Sequence, residues 1–303
     1  MSICSLSRII LICRDADRLA AFYTRAFGFD VVDERPRADP GFSKLIGRVD
    51  GHAWMRMLQL GEQRLELAQV APAGRAYPDG VAGYDPLFQH FAMVVPDMAA
   101  AFAALQSVGG WSAISADGPQ ILPASSGGVT AFKFRDPEGH PLELLEFPPG
   151  GAATDRAVPS GRACTGIDHS AISVCDTARS IAFYDRLGLV RAGGSLNSGP
   201  EQEKLDGITE AVVEVIALAP PMHRVPHVEL LCYRGDFPRH HAMADPADAA
   251  STQLVFAVTG EAFAALVANN GGAVINTALC SDGLSRALLR DPDGHLLCLE
   301  TSA

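Results

Sequence analysis

The chain has 303 residues, 48% hydrophobic and 19% charged, with 24 Lys and Arg against 35 Asp and Glu for a formal charge of −11. That length predicts two domains, and that much apolar material predicts packed cores and argues against disorder. The acidic balance argues against nucleic acid or an anionic membrane as partner, since both are gripped through basic surfaces, and leaves a small molecule as the expected partner of a monomer or homodimer.

The elements follow in chain order. Leu6 to Cys13 is a short apolar run interrupted by Arg8, which predicts a strand and neither a signal peptide nor a membrane span. Asp15 then leads into DRLAAFYTRAFGF, ending at Phe29. A carboxylate there suits a helix N-cap and Gly28 suits its stop. Strands follow up to RLELAQ, which holds Glu66, and the segment Pro72–Pro86 is turn-rich.

A second unit begins with HFAMVVPD from His90, continues into a helix ending at Gly110, and closes with RDPEGHPLELLEF from Arg135. Asp-Pro-Glu-Gly is a tight-turn signal followed by a last strand. The Pro, Gly and small residues from Pro148 to Arg162 predict an exposed linker.

The third unit repeats the first: HSAISVCD from His169, then ARSIAFYDRLGL with Asp176 as cap and Gly188 as stop, then HVELLC with Glu229. Its polar stretch from Ser195 to Gly207 reads as a loop over the site or simply a surface loop. The fourth repeats the second: QLVFAVTG from Gln253, a helix ending at Gly272, and RDPDGHLLCLE from Arg290.

Four strand-helix-strands units therefore span 4–71, 85–148, 166–234 and 250–301. They group in sequence into a first domain, 1–148, a linker, 149–165, and a second domain, 166–303. The seven cysteines, Cys4, Cys13, Cys164, Cys175, Cys232, Cys280 and Cys298, form no CxxC pair, so free thiols in a reducing cytoplasm are expected.

The repeated unit, the Asp-helix-Phe-Tyr frame and the D-P-[DE]-G-H-x-x-x-L turn together resemble the vicinal oxygen chelate superfamily. That superfamily includes glyoxalase I, epimerases, extradiol dioxygenases and metal-free bleomycin-binding proteins. The resemblance implies an α+β fold of four βαβββ modules, paired into two cup-shaped mixed sheets. It also implies ligand positions on the first and last strand of each module. The first-strand position, seven residues before the helix-capping residue, holds Arg8, His90, His169 and Gln253. The last-strand position holds Glu66, Glu143, Glu229 and Cys298.

Pairing of sequence neighbours gives one cup with Arg8, Glu66, His90 and Glu143 and another with His169, Glu229, Gln253 and Cys298, both incomplete. Crossed pairing, as in single-chain four-module glyoxalases, gives one complete set of His90, Glu143, His169 and Glu229 and one degenerate set of Arg8, Glu66, Gln253 and Cys298. The crossed arrangement is preferred. Two imidazoles and two carboxylates suit one divalent ion: Zn, Ni, Co, Mn or Fe(II).

Strand alternation sets His227 and Tyr233 on the face of Glu229, His227 as spare ligand, proton carrier or orienting group. Arg8 has no lone pair to offer a metal, and is expected either to pair with Glu66 in place of an ion or to anchor an anionic ligand. Cys298 is expected as a small core residue, with Glu300 as a displaced carboxylate. His140 and His295 are expected to pack the turns, Phe22-Tyr23 and Phe183-Tyr184 to pack helices on the sheet, and His240 and His241 to be solvated.

The resemblance implies a metal-dependent glyoxalase- or epimerase-like lyase or isomerase acting through an enediolate, with Glu143 or Glu229 as base. A ring-cleaving Fe(II) dioxygenase and a non-catalytic binder of the bleomycin-resistance type are the alternatives.

Overall fold

The computed structural model describes residues 3–33, 37–150, 162–238 and 243–301. Most of the expected linker, 151–161, and the pair His240 and His241 lie outside the described residues.

The first module runs β1 (Ser5–Cys13), α1 (Ala16–Phe27), β2 (Asp30–Val31), β3 (Arg37–Ala38), α2 (Pro40–Leu45), β4 (His52–Leu60) and β5 (Gln63–Ala71). The second runs β6 (Gln89–Val94), α3 (Met98–Val108), β7 (Ser112–Ala113), β8 (Gln120–Ile121), β9 (Thr130–Arg135) and β10 (Pro141–Glu146). The third runs β11 (Gly166–Ser173), α4 (Thr177–Arg186), β12 (Val190–Ser198), α5 (Pro200–Asp206), β13 (Val212–Ala219) and β14 (His227–Tyr233). The fourth runs β15 (Gln253–Val258), α6 (Gly260–Asn269), β16 (Val274–Leu279), β17 (Ser285–Arg290) and β18 (Leu296–Thr301).

Local chemistry sets the helix boundaries. The side chains of Asp15, Asp97 and Asp176 each accept the backbone N–H three residues on, and Thr259 does the same for α6, satisfying donors that a helix start leaves open. Gly28, in the left-handed region at φ 81°, closes α1 by donating to the Thr24 and Tyr23 carbonyls. The polar stretch from Ser195, expected as a loop, instead continues β12 and forms α5, with Pro200 at the first helical turn.

Among the described residues the strands form two nine-stranded mixed sheets. One is ordered β16-β17-β18-β15-β1-β5-β4-β2, with β3 on β4. The other is ordered β12-β13-β14-β11-β6-β10-β9-β7, with β8 on β9. Modules one and four thus share one sheet and modules two and three the other. Blocks 1–148 and 166–303 are units of sequence repetition, and each gives one module to each sheet. The joins are antiparallel, β1 on β15 and β6 on β11.

One apolar core draws on all four modules, from Leu6, Tyr23 and Phe27 through Phe91, Phe132 and Phe134 to Tyr184, Phe256 and Leu297. The repeat leaves a matching polar staple in each half. Tyr23 Oη donates to Asp136 Oδ2 at 3.0 Å, and His140 bridges Asp136 Oδ2 and the Ile12 carbonyl at 2.8 and 3.0 Å. In the second half Tyr184 Oη donates to Asp291 Oδ2 at 3.1 Å and His295 Nε2 to the Ser173 carbonyl at 2.8 Å. The turn histidines and helix tyrosines therefore hold successive modules together, and no helix among the described residues is long and apolar enough to cross a membrane.

Candidate metal centre

Four adjacent central strands of the second sheet carry the candidate ligands: β14 Glu229, β11 His169, β6 His90 and β10 Glu143. Register puts them on one face. Ala171 lies opposite both His90 and Glu229, and Ala92 lies opposite both His169 and Glu143. Directly opposed residues share a face, so two buried alanines floor the space among the four side chains.

Ligand-type atoms of His90, Glu143 and His169 all lie within 4.8 Å of one another. His90 Nε2 is 2.9 Å from Glu143 Oε2. His169 Nε2 is 3.5 Å from Glu143 Oε2 and 3.6 Å from Glu229 Oε2, and hydrogen-bonds neither, although it is buried. Two donors each about 2.1 Å from one ion stand roughly 3–3.5 Å apart, so these spacings fit a shared cation, as does the mixed imidazole and carboxylate donor set. His90 Nδ1 is buried without a partner.

His169 Nδ1 is 3.1 Å from Asp168 Oδ2, a carboxylate that fixes the ring's orientation. His227 Nε2 lies 3.4 Å from Glu229 Oε1, so the face-sharing expected from alternation is present. Burial pushes the Glu143 carboxyl up, but the Lys133 ammonium, with His169 and His90 beside it, holds it well below the usual carboxylate range. Glu229 is likewise lowered against its burial, by His169 and then His227. Burial opposes charge on His169, yet Glu229, Asp168 and Glu143 together hold its imidazole well above the ordinary value. At His90 burial outweighs Glu143 and lowers it.

These residues open onto a cavity of about 410 Å³. One wall is Leu122, Val129, Leu145 and Phe147, the opposite one Val213, Val215, Leu231 and Tyr233. Helix α5 leans over it through Gln202 and Leu205.

The other sheet sets Arg8, Glu66, Gln253 and Cys298 at the homologous positions with a different outcome. Its floor residues are Val255, opposite Arg8 and Cys298, and Ile10, opposite Gln253 and Glu66. Arg8 Nε donates to Glu66 Oε2 at 2.8 Å, and Arg8 Nη1 and Nη2 donate to the two oxygens of Glu300 at 2.6 Å each. Arg286 Nε reaches Glu300 at 2.5 Å. Phe42, Leu45 and Ile46 from the α2 segment pack with Ile10, Ile12, Met55, Val255 and Cys298 inside this cup. Gln253 is buried with neither amide atom bonded. Cys298 sits in that apolar cluster, and burial pushes its thiol up to about 12. Guanidinium groups and a hydrophobic plug stand where a second ion would be.

Sequence reading passed over Asp168 and Lys133. Asp168 lies where the β11–β6 register shifts between Ile167 and His169; such a bulge breaks the alternation that assigns faces. Lys133 stands opposite Glu143 on β9, between buried Phe132 and Phe134. A lysine inside so apolar a strand was the available signal.

Residues 5–144 match the family model of the Glyoxalase/Bleomycin resistance protein/Dioxygenase superfamily. Over 99% of its length the chain aligns with glyoxalase I from Zea mays, covering 92% of that chain at 16% identity and a TM-score of 0.58. It aligns equally, over 99% of its length and 86% of the other, with a candidate dioxygenase from Bacillus subtilis at 16% identity and a TM-score of 0.58. At such identities the likeness carries the fold and not the reaction. No curated protein matches the chain. Residues 5–144 thus carry the match to the glyoxalase/bleomycin resistance protein/dioxygenase superfamily, and the whole length of the chain shares the fold of glyoxalase I.

Proposed function

We propose that the cup of modules two and three holds one divalent metal through His90, Glu143, His169 and Glu229. There the protein acts as a glyoxalase- or epimerase-like lyase or isomerase on a small molecule with vicinal oxygens. The observation that carries this reading is the convergence of His90, Glu143 and His169 on one point of an open cavity, with Glu229 Oε2 3.6 Å from His169 Nε2. A divalent ion bound there supplies positive charge for the oxygen that becomes negative when a neighbouring C–H proton leaves.

The two carboxylates divide the work by their surroundings. Glu143, with a side chain 7% exposed, is pinned by His90 and held well below its usual pKa by Lys133, which makes it a firm ligand and a poor base. Glu229 is less deeply lowered, its side chain is 22% exposed, and His227 borders it at 3.4 Å. Glu229 takes the substrate proton, and His227 orients it and passes the proton on.

One observation favours a second reading. His90, Glu143 and His169, whose ligand-type atoms lie within 4.8 Å of one another, are two histidines and one carboxylate, the ligand set of Fe(II) oxygenases; a ring-cleaving dioxygenase follows if Glu229 stays off the metal.

Elemental analysis of the purified protein, with His90→Ala and His169→Ala beside it, tests the site. One equivalent of metal is expected, lost in both variants. Turnover of 2-oxoaldehydes with nickel, zinc, cobalt or manganese supports the isomerase; catechol cleavage with iron supports the dioxygenase; metal-free wild type overturns both.

A further inference from the structure

Lys133 is 4% exposed, lies in the cavity wall, and stands opposite the candidate ligand Glu143 across the β9–β10 ladder. Its Nζ donates to Asp206 Oδ1 at 2.7 Å, and Asp206 Oδ2 accepts from Gln202 Nε2 at 2.7 Å. An ammonium has three donors, and this bond uses one. Asp206 closes α5, so the pair also ties that helix to the cup; the Ser115 hydroxyl on the Leu205 carbonyl, at 2.8 Å, adds a second tie. The donors of Lys133 are thus held in place before any ligand arrives, which spares the ordering a free lysine would need.

The charge lining the cavity is as telling. Among the described lining residues Lys133 is the only Lys or Arg, against Glu143, Asp168 and Glu229. Arg191, near the rim, folds back on its own strand, Nε to the Gly193 carbonyl at 3.4 Å, and is not in the lining. Three carboxylates, one ammonium already paired with Asp206, and a divalent ion leave no surplus positive charge. Nothing in the wall matches the several carboxylates of a peptide thiol or the phosphates of a nucleotide thioester. Leu122, Val129, Phe147 and Val213 suit an apolar body instead.

We propose that Lys133 is the specificity-determining group of this cup, its two uncommitted N–H donors receiving one oxygen of a compact, partly apolar substrate that carries at most one negative charge. Tyr233 is buried in the same wall, its hydroxyl facing Asp206, the carboxylate that holds Lys133. The inference rests on the metal-cup reading above.

The test uses cobalt-loaded full-length protein and follows its visible spectrum during titration with acetohydroxamate, a compact singly charged chelator, and with glutathione. Lys133→Met alone would strand Asp206 as a buried charge, so the variant is Lys133→Met with Asp206→Asn. The pair Lys133→Gln with Asp206→Asn, which replaces the ion pair by amides, serves if the first does not fold. Each form is first brought to one equivalent of bound cobalt, the variants at higher free cobalt because Glu143 has lost the ammonium beside it; acetohydroxamate affinity is then expected roughly 10- to 100-fold weaker than wild type, and glutathione without effect on the spectrum of any form. Equal acetohydroxamate affinity in wild type and variant overturns the role of Lys133. Glutathione binding as tightly as acetohydroxamate overturns the substrate class. Wild type that takes up no cobalt overturns the metal reading itself, and this inference with it.

Discussion

Arg8→Met is the substitution whose effect the structure defines most closely. The guanidinium is 8% exposed and bonds two carboxylates that are 1% and 6% exposed, Glu66 and Glu300. Methionine keeps much of the volume and removes all three bonds. Glu300 retains Arg286 at 2.5 Å, but Glu66 is left with Arg37, 3.2 Å away on a side chain 37% exposed. The loss therefore falls on Glu66, a buried charge deprived of its main partner, for which about 3–5 kcal/mol is expected. With an unfolding entropy of about 2.1 cal/mol/K per residue, a chain of 303 residues loses roughly 1.6 °C per kcal/mol, a fall in Tm of about 5–8 °C. The double variant Arg8→Met with Glu66→Leu removes the stranded charge and is expected to recover most of the loss, since well-packed apolar replacements of buried ion pairs are often neutral. Thermal unfolding followed by circular dichroism, at fixed pH and without added metal, measures both. A single variant within about 1 kcal/mol of wild type, or a double variant no better than the single, would refute the claim that ionic contacts have taken the place of a metal in this cup.

Acid titration probes the same network. Glu300 is held below its usual pKa of 4.5 against burial, first by Arg8 and then by Arg286. A depressed folded-state pKa contributes stability that is complete above the unfolded value and lost as pH falls through the folded one. Stability should therefore drop below pH 4.5 in wild type, with a shallower slope in Arg8→Met, as urea midpoints across that range would report. Glu229→Gln keeps an amide oxygen at that position beside the intact His90, Glu143 and His169, so it should retain metal, more weakly, while kcat at saturating metal falls by about 10²–10⁴-fold; an unchanged kcat with metal bound would remove Glu229 as base. Ala171→Ile, which gives this floor the residue that Ile10 supplies in the other cup, should abolish metal uptake measured by elemental analysis while the fold survives. Saturating metal at about 100 times its Kd should raise stability by about 2.7 kcal/mol in wild type and not in His169→Ala, as melting with and without metal would measure.

Much of the molecule was legible in the residues. Asp15, Asp97 and Asp176 announce helix starts because a carboxylate satisfies donors that are open at every such start, whatever surrounds it. The Asp136 and Asp291 turns announce themselves because Gly139 and Gly294, at φ 97° and 108°, adopt a conformation other residues resist. Four such frames in order carried the repeat, and counting along them reached His90, Glu143, His169 and Glu229. The functional roles were less legible. Asp168 lies where a bulge interrupts alternation, and Lys133 draws its meaning from Asp206, 73 residues away in the chain.

The sequence by itself determined the modules, their caps and turns, and which side chains occupy the ligand positions, because these depend on interactions a few residues long. The tertiary structure alone decided that β1 joins β15 and β6 joins β11, which collects the complete set of imidazoles and carboxylates in one cup and the guanidiniums in the other. It alone also decided that alanines floor the open cup while Val255 and Ile10 floor the filled one. Both outcomes depend on which strands meet across the sheet, and a local pattern compatible with either pairing cannot encode the choice.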